Sequence, residues 1–166
     1  MSRWPTVDML ARRLIFGPPV SSVDMTLRGL EAHHYAIRMK PGAEAETLKF
    51  FRDVLGLEPD EGAREIPDVP LFWLDVENDT QVHLFSMTGV SKYAESPERD
   101  PFSHHIALGV PDIFEARDEL DRLGVDYWSA GRGERQQVFM NDPNGNMIEL
   151  HQIGTCRCKS SQRPSV

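Results

Sequence analysis

The sequence predicts an α+β chain built from two tandem β-α-β-β-β modules, and three observations carry that prediction. The stretch H-H-Y-A-I-R-M (His33 to Met39) returns as S-H-H-I-A-L-G-V (Ser103 to Val110). In both, a His pair opens a run of β-branched, aromatic and aliphatic residues, the composition of a strand packed on at least one face. Each run is followed by a helical pattern that a glycine stops, Leu55-Gly56-Leu57 in the first copy and Leu123-Gly124-Val125 in the second. The spacing is also kept: His34 and His105 lie 71 positions apart, Gly56 and Gly124 68, His83 and Glu149 66. A drift of a few residues is what changes in loop length leave behind in a duplicated unit.

Taken in order, Met1 to Gly29 lies outside the repeat and contains the break Gly17-Pro18-Pro19. It is expected to be an arm that docks on the body or on a partner subunit. Its A-R-R-L-I-F-G imitates a twin-arginine export signal, but no apolar stretch follows, so the cytoplasm is the expected compartment. The first module (30–90) opens with the His33–Met39 strand. Pro41 to Leu55 reads as a helix, with Glu44 and Glu46 in its first turn and Leu48, Phe51 and Leu55 at helical spacing. A weak strand near Ala63 to Ile66, a strand Leu71 to Val76, a turn at Glu77-Asn78-Asp79 and the strand Q-V-H-L-F (Gln81 to Phe85) complete it.

A linker (91–102) leads into the second module (103–153). After its His strand, Pro111-Asp112 starts a helix to Leu123, with Phe114, Leu120 and Leu123 as expected core contacts. Tyr127-Trp128, Gln137 to Met140 and Met147 to Gln152 supply strands, the last two joined through the turn D-P-N-G-N (Asp142 to Asn146). A polar tail (154–166) carries the two cysteines, Cys156 and Cys158, read as reduced thiols because a zinc site would need more ligands.

Composition excludes some function classes. With 166 residues, 40% hydrophobic and 27% charged, the chain can bury a core without disulfides. A net charge of -8 and no cluster of Lys and Arg argue against nucleic acid as a partner. No apolar run reaches the length of a membrane span.

The chemistry sits on four strands. Alternation along a strand sets His34 and Ala36 on one face, opposite His33, Tyr35, Ile37 and Met39, and sets His105 and Ala107 opposite Ile106, Leu108 and Val110. Small Ala beside His leaves room for something to sit. Q-V-H-L-F and M-I-E-L-H each place one metal-competent residue, His83 or Glu149, between apolar neighbours. If the four strands are adjacent, three imidazoles and a carboxylate converge, a donor set for a divalent transition metal. Phe85, Gln81, Met147 and His151 are candidates to shape the pocket, and Arg38, on the face of His34, to meet an anionic substrate. His33 and His104 are expected to project toward the helix layer or the strand ends. Trp73 and Trp128 are expected in the core or at its rim.

From about His33 to Ile153 the chain resembles the vicinal oxygen chelate superfamily, which includes glyoxalases, methylmalonyl-CoA epimerases, extradiol dioxygenases, fosfomycin-modifying transferases and bleomycin-resistance proteins. The resemblance rests on H-H-Y-A-I with F-F-R-D-V-L-G-L (Phe50 to Leu57), on H-H-I-A-L-G-V, and on F-M-N-D-P-N-G-N-M-I-E-L-H (Phe139 to His151). It implies an open mixed-sheet barrel around a metal, with His34, His83, His105 and Glu149 as ligands and Fe(II), Ni(II), Mn(II), Co(II) or Zn(II) as the ion. It further implies a small-molecule substrate with vicinal oxygens, a homodimer, and Glu149 doubling as the base that moves a proton.

Departures from the family narrow this. His83 stands where many glyoxalases and epimerases have Glu or Gln, Asn144 where extradiol dioxygenases have Tyr, and Ala36 and Phe139 where fosfomycin transferases have Thr and Tyr. The expected function is glyoxalase-like lyase or isomerase chemistry by Lewis-acid catalysis. An Fe(II)-dependent ring-cleaving dioxygenase and a metal-free, drug-sequestering protein of the bleomycin-resistance kind are the alternatives.

Overall fold

A computed structural model of the chain describes residues 27–60, 65–76 and 80–155. The arm before Leu27, the turn at 77–79 and the two cysteines lie outside the described residues. The elements run β1 (Glu31–Met39), α1 (Glu44–Leu55), β2 (Leu71–Val76), β3 (Thr80–Ser86), β4 (His105–Val110), α2 (Ile113–Leu123), β5 (Tyr127–Ala130), a short 3-10 turn (Gly133–Arg135), β6 (Gln137–Asn141) and β7 (Met147–Gln152). All seven strands form one mixed sheet in the order β2-β3-β1-β4-β7-β6-β5.

The order places the four chemistry-bearing strands side by side at its centre. β1 runs parallel to β3, β4 parallel to β7, and β1 meets β4 antiparallel, so the two modules are related by a pseudo-twofold between β1 and β4. The register is reciprocal. His34 stands opposite Ala107 and Ala36 opposite His105, while Ala36 also pairs with His83 and Ala107 with Glu149. Each of the four polar residues thus has a buried alanine, 3% or 2% exposed, as a lateral neighbour. Small side chains there leave the space that the polar groups fill.

Two separate helices cover the outer face. Leu48 and Phe51 of α1 pack against Met39, Leu74 and Leu84, while Leu55 stays exposed. Ile113, Ala116 and Leu120 of α2 pack with Val110, Val138 and Leu150. This corrects the expected contacts at Phe114 and Leu123, both exposed. The buried stripe follows i, i+3, i+7 from Ile113, and Phe114 and Leu123 lie off it. Asp112 caps α2 by accepting from the amides of Phe114 and Glu115. Gly56 and Gly124 end the helices in the left-handed region, where a Cβ would be strained.

Of the weak strand expected near Ala63 to Ile66, Ala63 and Arg64 lie outside the described residues, and Ile66 makes an isolated bridge to Val69. Pro67 and Pro70, on either side of Val69, lack the amide that a continuous ladder needs. On the face opposite His34 and His105, Tyr35, Ile37 and Ile106 are exposed. The register of β1 slips between Ala32 and His34, so His33 turns inward and is buried, whereas His104 is exposed. No helix among the described residues is long and apolar enough to cross a membrane.

The linker between the modules is fastened to the sheet by a buried carboxylate. Asp100 accepts from Arg38 Nη2 (2.7 Å), the Ser91 amide (2.7 Å) and hydroxyl (2.6 Å), and the Phe102 amide (3.0 Å). Arg38 also donates to the carbonyls of Phe102 and Gly89. Burial would raise the Asp100 pKa, but the Ser91 and Phe102 donors and the Arg38 charge outweigh it and hold the carboxyl below its usual range. Asp100→Ala is expected to lower stability by about 3 kcal/mol in urea titration at pH 7, because it leaves buried donors without their acceptor. With the folded pKa depressed, the deficit is full above the unfolded value of about 3.9 and fades as pH falls through the folded one. A deficit that does not change with acidification would contradict this role.

Candidate metal centre

Strand pairing brings His34, His105 and Glu149 together. His105 Nε2 lies 3.1 Å from His34 Nε2 and 3.0 Å from Glu149 Oε2, and His34 Nε2 lies 3.5 Å from Glu149 Oε2. All three residues are buried. Donors bound cis to one ion at about 2.1 Å stand about 3 Å apart, so these separations suit a shared cation. Among the described residues, this trio is one of two groups of side chains able to hold a metal; the other is His33, His34 and His151.

The protonation of His105 follows from its partner. Its Nδ1 lies 2.7 Å from the Ser103 carbonyl oxygen, which can only accept, so Nδ1 carries the proton. That tautomer turns Nε2 toward Glu149 and His34 as the atom it would offer a cation. Two imidazole nitrogens and a carboxylate aimed at one point need a proton or a metal cation among them. The donor set therefore fits a divalent transition metal.

The electrostatics agree. Burial alone would push the Glu149 carboxyl up, but His34 and His105 hold it well below the usual carboxylate range. Gln137 donates to Glu149 Oε1 at 2.8 Å, which fixes the carboxylate and leaves Oε2 on the His side. Sequence reading missed Gln137, because its reach to Glu149 depends on the β6–β7 register, where Gln137 stands opposite His151 and Phe139 opposite Glu149.

His83 is placed differently from the other three expected ligands. Its ring stacks on His34 with centroids 3.8 Å apart, Trp73 meets it edge on, and its Nε2 lies 3.1 Å from Gln81 Oε1. It belongs to neither of the metal-competent groups. Burial, and then the charge of His34, push its pKa well below the ordinary value, so it is a neutral ring packed against the centre.

A cavity of about 540 Å3 opens over the trio. Trp73, Phe85, Tyr93 and Phe102 give it an aromatic wall, Glu65 and Arg135 lie at its exposed rim, and edge strands β2 and β5 both line it through Trp73 and Ala130. The sheet is therefore curled into an open barrel. Of the residues expected to shape the pocket, Phe85 and His151 line it. Three do not, and those expectations are corrected. Arg38 is engaged with the linker, Gln81 bonds Asp75 and His83, and Met147 packs with Trp128 and Phe139.

No curated protein matches the chain. Among solved structures, it is similar to hypothetical protein BH1468 from Bacillus halodurans C-125, at 20% identity and a TM-score of 0.56 over 75% of this chain and 95% of that one. It is similar to methylmalonyl-CoA epimerase from Mycobacterium tuberculosis at 18% identity and a TM-score of 0.54, over 81% and 93%. It is also similar to the Streptomyces coelicolor epimerase in complex with 2-nitronate-propionyl-CoA, at 19% identity and a TM-score of 0.51, over 74% and 96%. At this identity these likenesses speak to the fold alone. Residues 43–150 match the family described as Glyoxalase/Bleomycin resistance protein/Dioxygenase superfamily, and with the doubled module and the curled seven-stranded sheet this makes the chain a member of that superfamily.

Proposed function

We propose that this protein is a metal-dependent enzyme that takes a small substrate with two adjacent oxygens and carries out glyoxalase-like lyase or isomerase chemistry. The observation that carries the reading is the convergence of His34 Nε2, His105 Nε2 and Glu149 Oε2 at the buried end of an aromatic-walled cavity. Held by His34, His105 and Glu149, a divalent ion would supply Lewis-acid polarisation of the substrate oxygens. The chain's own groups do the rest. Trp73, Phe85 and Phe102 exclude water, which strengthens every charge interaction inside. The Ser103 carbonyl and the Gln137 amide orient His105 and Glu149. Glu149, kept anionic by its surroundings, is the base that accepts the proton from the carbon beside the polarised carbonyl.

A second reading has one observation in its favour. With His83 stacked aside, the remaining ligands are two His and one carboxylate, the set that in non-haem Fe(II) oxygenases leaves positions open for dioxygen and a diol. One experiment separates the two. Protein loaded anaerobically with Fe(II) and mixed with a catechol in air is expected to consume no oxygen and form no yellow ring-fission product, while Ni(II), Co(II), Mn(II) or Zn(II) supports turnover of a vicinal-oxygen substrate. Ring fission with oxygen uptake would replace the first reading by the second. A protein that carries no metal as purified yet binds aromatic drugs would replace both with a sequestering role.

A further inference from the structure

Two buried imidazoles, His33 and His151, lie beside His34 and have no part in the chemistry above. We propose that His33 is a positioning residue: its Nδ1 accepts the Nδ1–H of His34 and so keeps the Nε2 lone pair of His34 facing His105 and Glu149. The inference rests on the reading that His34 binds the metal through Nε2.

The argument starts from the pseudo-twofold. His34 and His105 occupy equivalent positions in the two modules, opposite Ala107 and Ala36. Each ring needs its Nδ1 proton held if Nε2 is to be a donor atom. For His105 a backbone group does this, the carbonyl of Ser103 two residues back, at 2.7 Å. In β1 the register slips between Ala32, the residue matching Ser103, and His34. That slip swings the His33 side chain inward, and its Nδ1 comes to lie 2.8 Å from Nδ1 of His34. A side chain from the preceding residue stands where the second module uses main chain.

Two ring nitrogens at that distance share one proton, with one as donor and the other as acceptor. If His33 were the donor, the proton of His34 would sit on Nε2, aimed at His105 and Glu149, and would block that nitrogen for a cation. With His33 as acceptor, the proton of His33 sits on its own Nε2. The ring is held in place by His151, whose ring it meets edge on with centroids 3.7 Å apart. A neutral acceptor also adds no second negative charge beside Glu149. A metal-bound His whose far nitrogen is held by an outer partner is the usual arrangement, and losing that partner typically weakens metal affinity about 10–100-fold.

The test compares wild type, His33→Leu and His33→Asn by chelator competition with Zn(II), elemental analysis and thermal unfolding. One zinc per chain is expected in all three. Affinity should fall about 10–100-fold in His33→Leu and return to within a few-fold of wild type in His33→Asn, whose amide oxygen still accepts near the Nδ1 position. The 15N histidine spectrum of zinc-loaded wild type should show His34 protonated at Nδ1. Equal affinity in a folded His33→Leu variant, an Asn variant no better than Leu, or a proton on His34 Nε2 would each overturn the proposal. So would two zinc ions per wild-type chain with one lost in His33→Leu, which would make His33, His34 and His151 a second ligand set. A wild type that binds no zinc at all refutes the reading underneath, and is distinguishable from these outcomes because it needs no variant.

Discussion

Replacing His105 by Ala is expected to abolish the divalent-metal binding proposed for this centre. The ring contributes the nitrogen closest to both other donors, at 3.1 and 3.0 Å, and Ser103 has already fixed its protonation. Removing it leaves two donors, one of them a buried carboxylate with less to neutralise it. The loss in affinity should exceed the about 10–100-fold that outer partners are worth, so that desalted protein retains almost no ion while its circular dichroism is preserved. Activity on a vicinal-oxygen substrate should fall with the metal content. A His105→Ala protein that keeps wild-type metal content would refute the assignment of the centre.

The second large effect is expected at Phe139→Ala, and it ties the core to the centre. Phe139 is fully buried, stacks on Trp128 with centroids 5.6 Å apart and meets the His105 ring edge on at 5.9 Å. It also pairs directly with Glu149 across β6 and β7. Truncating a buried Phe typically costs about 3–5 kcal/mol, through lost transfer energy and the cavity left behind. Urea titration should report that loss with an unchanged m value. Because the vacated volume adjoins His105, metal affinity should weaken as well, which an equally buried residue under a helix, such as Leu84, should not cause. Destabilisation below about 1 kcal/mol would mean that the ring is not part of the packed interior.

The doubled module, α1, α2 and the strands from Leu71 onward were legible because periodicity and glycine stops act locally. So was the convergence of His34, His105 and Glu149, since each sits on a strand that must lie centrally if the modules repeat. What escaped depends on neighbours that no local pattern encodes. The slip in β1 that buries His33 is a property of pairing with β4, and a strict alternation rule sends that ring the wrong way. His83 lies on the expected strand, yet Gln81 two residues earlier draws its Nε2 aside and His34 stacks upon it. Arg38 faces as predicted, but the path of the linker supplies Asp100 as its partner. Phe114 and Leu123 misled because an apolar residue near a helix end need not lie on the buried stripe.

The strip that joins the modules, pinned through Asp100, also walls the cavity with Tyr93, Pro101 and Phe102. The reactive groups are held in a rigid lattice of paired strands, where a one-residue shift would turn every side chain over. This wall belongs to an irregular segment that obeys no such constraint. Insertions or exchanges there can reshape what is admitted without disturbing what reacts, so selectivity and chemistry in this architecture are free to diverge separately.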